Sequence, residues 1–213
     1  MTEHHLRVQR TARYHMLGNA STAQELWVVV HGYGQLARFF LNTFNGMESS
    51  MRCIVAPEAL SRFYLDADHS RVGATWMTRE ERLLEVEDHV AYLDALVDTV
   101  KEQAPEGLHV KAVGFSQGVA TVSRWALKGR TTLQRMILWA GGLPPELDQR
   151  TLSAWRNIHV DLVLGDRDEY AKAGDLEAMD RRLELAGVPR RSHRFSGTHK
   201  LEPVLLERLM DRN

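Results

Sequence analysis

The chain of 213 residues holds a single cysteine, Cys53, so it cannot form an internal disulfide, and the small disulfide-stapled secreted scaffolds are excluded. It lacks an excess of charge of either sign: 27 lysines and arginines stand against 28 aspartates and glutamates. So even a balance gives no basic footprint for nucleic acid and no pull toward an anionic membrane. No run approaches the ~18 consecutive apolar residues of a membrane-spanning helix. The N-terminal Met-Thr-Glu-His-His-Leu-Arg-Val has no apolar stretch of the kind a secretory signal needs. Internal repeats, low-complexity tracts and long linkers are also missing, as is any insertion large enough for a cap domain. What these absences leave is the expectation of a cytoplasmic protein with one domain over residues 1–213. Its 44% apolar and 26% charged residues are ordinary for a globular chain. Oligomeric state is not readable from the sequence.

Short apolar runs alternate with helical patterns along most of the chain. Leu26 to Val30 is a continuous β-branched run ending at His31-Gly32, as expected of a parallel strand covered on both faces. Residues 51–56 repeat that character and stop at Pro57, with a helix expected between Ala37 and Phe44. Cys53 lies inside this second run, which marks it as a buried structural thiol. Leu83, Val86, Val90, Leu93, Val97 and Val100 recur three and four apart, which predicts one long amphipathic helix from Arg82 to Gln103. Further strands are expected at Met136–Ala140, His159–Leu164 and 191–195, with a short helix near 146–156 and helices near 174–187 and 201–210. Residues 6–17 suggest one or two short edge strands. The alternation argues an α/β fold with a mostly parallel, doubly wound sheet and helices on both faces.

One motif carries chemistry. Gly114-Phe115-Ser116-Gln117-Gly118 follows the strand-like Val110 to Val113 and opens a helix-like segment, Gln117 to Lys128. A G-x-S-x-G turn in that context exposes its serine at a sharp bend, with glycines two residues either side because a Cβ there would strike the neighbouring backbone. A serine hydroxyl needs a base, and the base needs a carboxylate to hold its tautomer. Both are expected at the carboxyl ends of later strands. Asp168 follows His159–Leu164 in Gly-Asp-Arg-Asp, and His199 follows the last strand in Ser-Gly-Thr-His. Asp166 competes with Asp168 but lies closer to the strand end, before the chain can turn back toward a histidine. His193 competes with His199 but lies within a strand. The oxyanion hole calls for two backbone N–H groups. Gln117 supplies one, and the turn His31-Gly32-Tyr33-Gly34 the other, at Tyr33 with Gly34 as its rival. His31 comes too early in the chain to be the base and is expected to orient that turn.

The pieces Val-Val-His-Gly-Tyr-Gly-Gln, Val-Gly-Phe-Ser-Gln-Gly, Leu-Gly-Asp-Arg-Asp and Gly-Thr-His, from about Trp27 to the C-terminus, resemble the phospholipase/carboxylesterase family of small α/β-hydrolases, which includes acyl-protein thioesterases. That resemblance implies an α/β-hydrolase fold without a large cap, Ser116 as nucleophile, Asp168 as orienting acid and His199 as base. It also implies an oxyanion hole at Tyr33 and Gln117, no cofactor and no metal, and Trp76 beside the acyl site. The chain departs from the family pattern at Val119, where a third glycine is usual, at Gln35, and at Glu169-Tyr170 after the acid.

The loop from Arg62 to Met77 leaves the carboxyl end of the strand 51–56, so Tyr64 and Trp76 are the expected substrate contacts, against ordinary packing. Arg71 and Arg79 flank that loop and raise the question of an anionic substrate. The pairs His4-His5 and His15 read as solvated side chains. The expected activity is hydrolysis of small or short-chain carboxylic esters or thioesters. The alternative is a catalytically idle scaffold that binds small molecules or partners.

Overall fold

A strand that is apolar at every position presents half its side chains to each face of a sheet, and both halves need cover. The computed structural model, which describes residues 1–212, supplies that cover. In chain order the elements are β1 (Tyr14–Leu17), β2 (Glu25–Val30), α1 (Ala37–Leu41), β3 (Arg52–Pro57), β4 (Ser61–Tyr64), β5 (Val72–Thr75) and α2 (Arg82–Lys101). There follow β6 (His109–Phe115), α3 (Gln117–Lys128), β7 (Arg135–Trp139), α4 (Gln149–Leu152), β8 (His159–Gly165), α5 (Asp175–Leu185), β9 (Arg190–Phe195) and α6 (Pro203–Met210).

Seven strands form one sheet in the order β1-β3-β2-β6-β7-β8-β9, and only the edge strand β1 runs antiparallel. Alternate residues sort the core into two layers. Leu26, Val28, Val30, Ala112, Leu138 and Leu162 point toward the side covered by α2, α3 and α5. Trp27, Val29, Val113, Ile137, Trp139 and Val163 point toward α1 and α6. The chain passes from β2 to β3 on one side and then returns to lay β6 on the other. The carboxyl ends of β2 and β6 therefore flank the crevice where an open α/β sheet collects its site.

Two local expectations, the short edge strand near the N-terminus and the short helix near 146–156, are met and sharpened, and two are revised. The N-terminal region forms one strand, Tyr14–Leu17, held opposite Ile54–Pro57, and residues 6–13 form none. The segment from Arg62 to Met77 is not all loop: β4 and β5 pair as a hairpin of their own, with residues 65–71 as its tip. The helix expected near 146–156 is a short α4 continued by a single tight turn, Ser153–Trp155. Leu83 is 75% exposed, so the buried stripe of α2 begins at Val86. That stripe includes Asp94, buried because Trp125 Nε1, Thr131 Oγ1 and the N–H groups of Arg130 and Thr131 all donate to its carboxylate. Burial raises its pKa, and these donors more than offset that, leaving the carboxyl below its ordinary value.

Candidate active site

The turn between β6 and α3 holds Ser116 at φ 53° and ψ −116°, a left-handed conformation that a residue with a side chain adopts only under constraint. The constraint is visible in its neighbours. The Ser116 N–H donates to the Trp139 carbonyl at 2.9 Å, and its own carbonyl accepts from Val119 N–H at 3.0 Å. A Cβ at Gly118 would lie 2.2 Å from the Val30 carbonyl oxygen, and one at Gly141 would lie 2.3 Å from that of Ser116. Gly118 lets the start of α3 press against the end of β2, and Gly141 lets the segment after β7 press against the turn itself.

His199 reaches Ser116 from the segment after β9. Its Nε2 is 2.9 Å from Ser116 Oγ. Its Nδ1–H donates to Asp168, 2.8 Å from Oδ2 and 3.0 Å from Oδ1. The Asp168 side chain is 1% exposed and also accepts the N–H of Tyr170 at 2.9 Å. The imidazole is held between Phe115, centroids 5.0 Å apart, and Tyr170, at 4.7 Å. The two competing residues are occupied elsewhere. Asp166 accepts the N–H of Gly197 and is half exposed, which makes it part of the turn that carries His199. His193 Nε2 lies 2.7 Å from Asp161 Oδ1, in a buried cluster completed by Arg135. Burial raises the Asp161 pKa, yet His193 and Arg135 hold it below the ordinary carboxylate range.

Across from Ser116 runs the turn after β2. The Gly34 N–H donates to the Ala74 carbonyl at 2.9 Å and is spoken for, whereas the Tyr33 N–H has no partner among the described residues. Gln117 opens α3, so its N–H has no acceptor inside the helix. His31 is buried and pins this turn: Nδ1–H donates to the Gly32 carbonyl at 2.8 Å, and Nε2 accepts the Ala59 N–H at 3.1 Å. Burial lowers its pKa, against the pull of the Gly32 carbonyl and Glu58, so the neutral ring persists. Gln35 Oε1 accepts the Gly32 N–H. Sequence reasoning missed the Gln117 side chain. Its Oε1 accepts the Trp76 N–H at 3.1 Å, and its Nε2 donates to the Met77 carbonyl at 3.0 Å, joining the elbow to the segment after β5. A polar side chain next to the nucleophile was its only signal.

Two cavities adjoin the Ser116–His199–Asp168 line. The larger, about 720 Å³, carries His199 on its wall and is bounded by Leu36, Phe40, Leu65, Val72 and Leu201. The smaller, about 300 Å³, lies beside Asp168 and Gly141, with Leu143, Leu164 and Met179 as walls. The hairpin reaches the larger cavity through Leu65, Arg71 and Val72, and not through the side chains expected to do so. Tyr64 is 57% exposed and turns to stack on His69, because successive strand residues face opposite ways. Trp76 is 3% exposed and packs against the His31 and His89 rings, on neither cavity of the triad. Arg79 also lies outside both. Cys53 is buried in β3, where burial pushes its thiol up to about 11, far from a nucleophile. His5 has two carboxylate partners, Glu3 and Glu81, each 3.3 Å away in an exposed cluster that sequence spacing did not show.

A mostly parallel sheet with a strand–serine–helix turn at its crevice, and helices on both faces, defines the α/β-hydrolase fold. Among the solved structures that share it with this chain are three enzymes by description. Esterase PE8 matches with a TM-score of 0.70 and 22% identity, over 94% of this chain and 98% of its own. Acyl-protein thioesterase 2 of Zea mays matches at 0.71 and 17%, over 93% and 96%. The Bacillus cereus carboxylesterase matches at 0.67 and 15%, over 93% and 91%. No family model matches the sequence, and no curated relative does. Identity this low makes the likeness one of fold. Among the described residues no helix is long and apolar enough to cross a membrane.

Proposed function

We propose that this protein is a serine hydrolase that cleaves carboxylic ester or thioester bonds of small or short-chain acyl substrates. One observation carries the reading: an unbroken hydrogen-bonded line from the buried Asp168 carboxylate through His199, on the wall of a cavity, to the hydroxyl of Ser116, which sits in a left-handed turn. The similar fold of proteins described as esterases and a thioesterase supports it.

In this reading His199 Nε2 takes the Ser116 proton as Oγ attacks the acyl carbon, while Asp168 stabilises the imidazolium. The Tyr33 and Gln117 N–H groups receive the oxyanion. His199 then returns the proton to the departing alcohol or thiol, and afterwards activates a water that releases the acid from the acyl-enzyme. The chemistry calls on no metal or organic cofactor, and its substrate is a small molecule. The 300 Å³ recess beside Asp168, walled by Leu143, Leu164 and Met179, offers an apolar surface for the acyl group. A cytoplasmic setting suits a chain with one free, buried thiol.

A fluorophosphonate probe tests the reading directly. It should label wild type and not Ser116→Ala, and the substitution should lower turnover of an ester and thioester panel on the order of 10⁴-fold. An unlabelled wild type that binds small molecules without turnover would leave an idle scaffold instead.

A further inference from the structure

Apart from His199, every ionisable side chain lining the larger cavity is a cation: Arg38, Arg71 and Lys200. None of the three forms an ion pair among the described residues. Some buried or half-buried arginines elsewhere are matched, as Arg13 and Arg62 are by Glu58, and Arg124 by Glu146. Arg38 lies over the ring of its neighbour Phe39 at 4.4 Å. The nearest acids in sequence to Arg71 are Asp68 and Asp66, in the same hairpin tip: Asp68 accepts the Ser70 N–H, and the Asp66 carboxylate is turned onto the backbone N–H groups of Ser70 and Arg71. In a chain with a net charge of −1, a cavity wall that carries three cations and no acid is positively lined.

The side of the reaction they serve follows from His199. The proton it removes from Ser116 has to be handed to the leaving-group atom, so the leaving group lies against the histidine wall. That wall belongs to the larger cavity, where the cations are. The smaller recess carries no lysine, and its one arginine, Arg182, is bonded to the carbonyls of Leu143, Pro144 and Leu147. Accordingly, we infer that the alcohol or thiol released by this protein bears a negative charge, as a carboxylate or a phosphate, received by Arg38, Arg71 and Lys200. The inference rests on the serine-hydrolase reading.

Exposed charge pairs contribute little singly, about 1.5- to 5-fold each, and their sum is screened by salt. The test uses short-chain esters of three alcohols of matched size: one neutral, one bearing a carboxylate, one bearing a phosphate. At low salt, kcat/KM for the charged esters should exceed that for the neutral one by about 10- to 100-fold, with the ratio shrinking toward one as salt is raised. The phosphate and carboxylate arms tell which anion is preferred. The double variant Arg71→Gln, Lys200→Gln should lower that ratio about 5-fold or more, and Arg79→Gln, outside the cavity, should keep it.

A ratio at or below one, a ratio indifferent to the double variant, or a stronger preference for charge placed on the acyl side overturns the inference. If neutral esters are cleaved in a Ser116-dependent way without such preference, only this inference falls. Binding of the same intact esters to Ser116→Ala, measured by calorimetry, reads recognition without turnover. The phosphate ester should bind about 10-fold more tightly than the neutral one, and equal binding overturns the assignment whatever the kinetics.

Discussion

The indole N–H of Trp76 donates to the carbonyl oxygen of His31 at 2.9 Å, tying the segment after β5 to the end of β2 just ahead of the turn that carries Tyr33. Trp76 is thus a fastening for that turn, with its ring tilted on the His31 ring at 5.2 Å. Trp76→Ala should cost about 3–5 kcal/mol of stability and leave the His31 carbonyl without its donor. It should lower kcat across an ester series by a similar factor at every chain length. Melting temperature and the ester series, measured on one preparation, check both halves. A selective change with chain length would return Trp76 to the substrate pocket.

Asp168→Asn preserves shape and removes the charge that holds the productive tautomer of His199. Turnover should fall on the order of 10⁴-fold. Asp166→Asn, whose residue caps the Gly197 N–H, should cost less than about tenfold.

Stability should fall in mild acid for a reason outside the triad. His89 is buried, with Nδ1 3.4 Å from the Trp76 carbonyl and Nε2 unpartnered. Burial, reinforced by Arg124 and partly offset by that carbonyl, lowers its pKa to about 4. The unfolded chain takes up this proton near pH 6.5, and the folded one only near 4, so between those values the unfolded state binds more protons. Stability conferred by the neutral ring is therefore fully present above pH 6.5 and is lost toward pH 4, by roughly 3 kcal/mol in all. His31, also lowered by burial, acts in the same direction. Denaturant melts over this range should show the slope, and His89→Leu should flatten it.

Glycines near Ser116 differ sharply in what they tolerate. A Cβ at Gly118 meets the Val30 carbonyl oxygen, whereas one at Gly142 meets nothing within 4 Å. Gly118→Ala should destabilise by about 3 kcal/mol and abolish labelling of Ser116. Gly142→Ala should stay within about 0.5 kcal/mol of wild type in a denaturant melt.

The sheet and the meeting of Ser116, Asp168 and His199 were legible because each depends on local signals: apolar runs, the glycine-framed turn, and acid and histidine just past strand ends. The β4–β5 hairpin was hidden because Ser61–Tyr64 and Val72–Thr75 are four residues each and separated by a polar tip, so neither shows a period. Trp76 was misread for a different reason. Its hydrogen-bond partner is a backbone carbonyl 45 positions away, and no pattern of residue types reports such a bond. The cations around the larger cavity show both cases: Arg71 drew notice through its loop, while Arg38 and Lys200 reach the same space from α1 and from the segment after β9.

Gly73 in β5 lies so close to Gly34 that an added Cβ would fall 2.5 Å from the Gly34 carbonyl oxygen, and the neighbouring Ala74 carbonyl accepts the Gly34 N–H. The joint is main chain against main chain, indifferent to which side chains stand at the hairpin tip, residues 65–71. That tip can change in charge, and even in length, while the turn bearing the Tyr33 N–H stays in register with Ser116. In the proposed serine hydrolase, selectivity and chemistry are thereby inherited separately. A lineage, or an engineer, can rewrite the tip to admit a new leaving group without having to rebuild the machinery that cuts it.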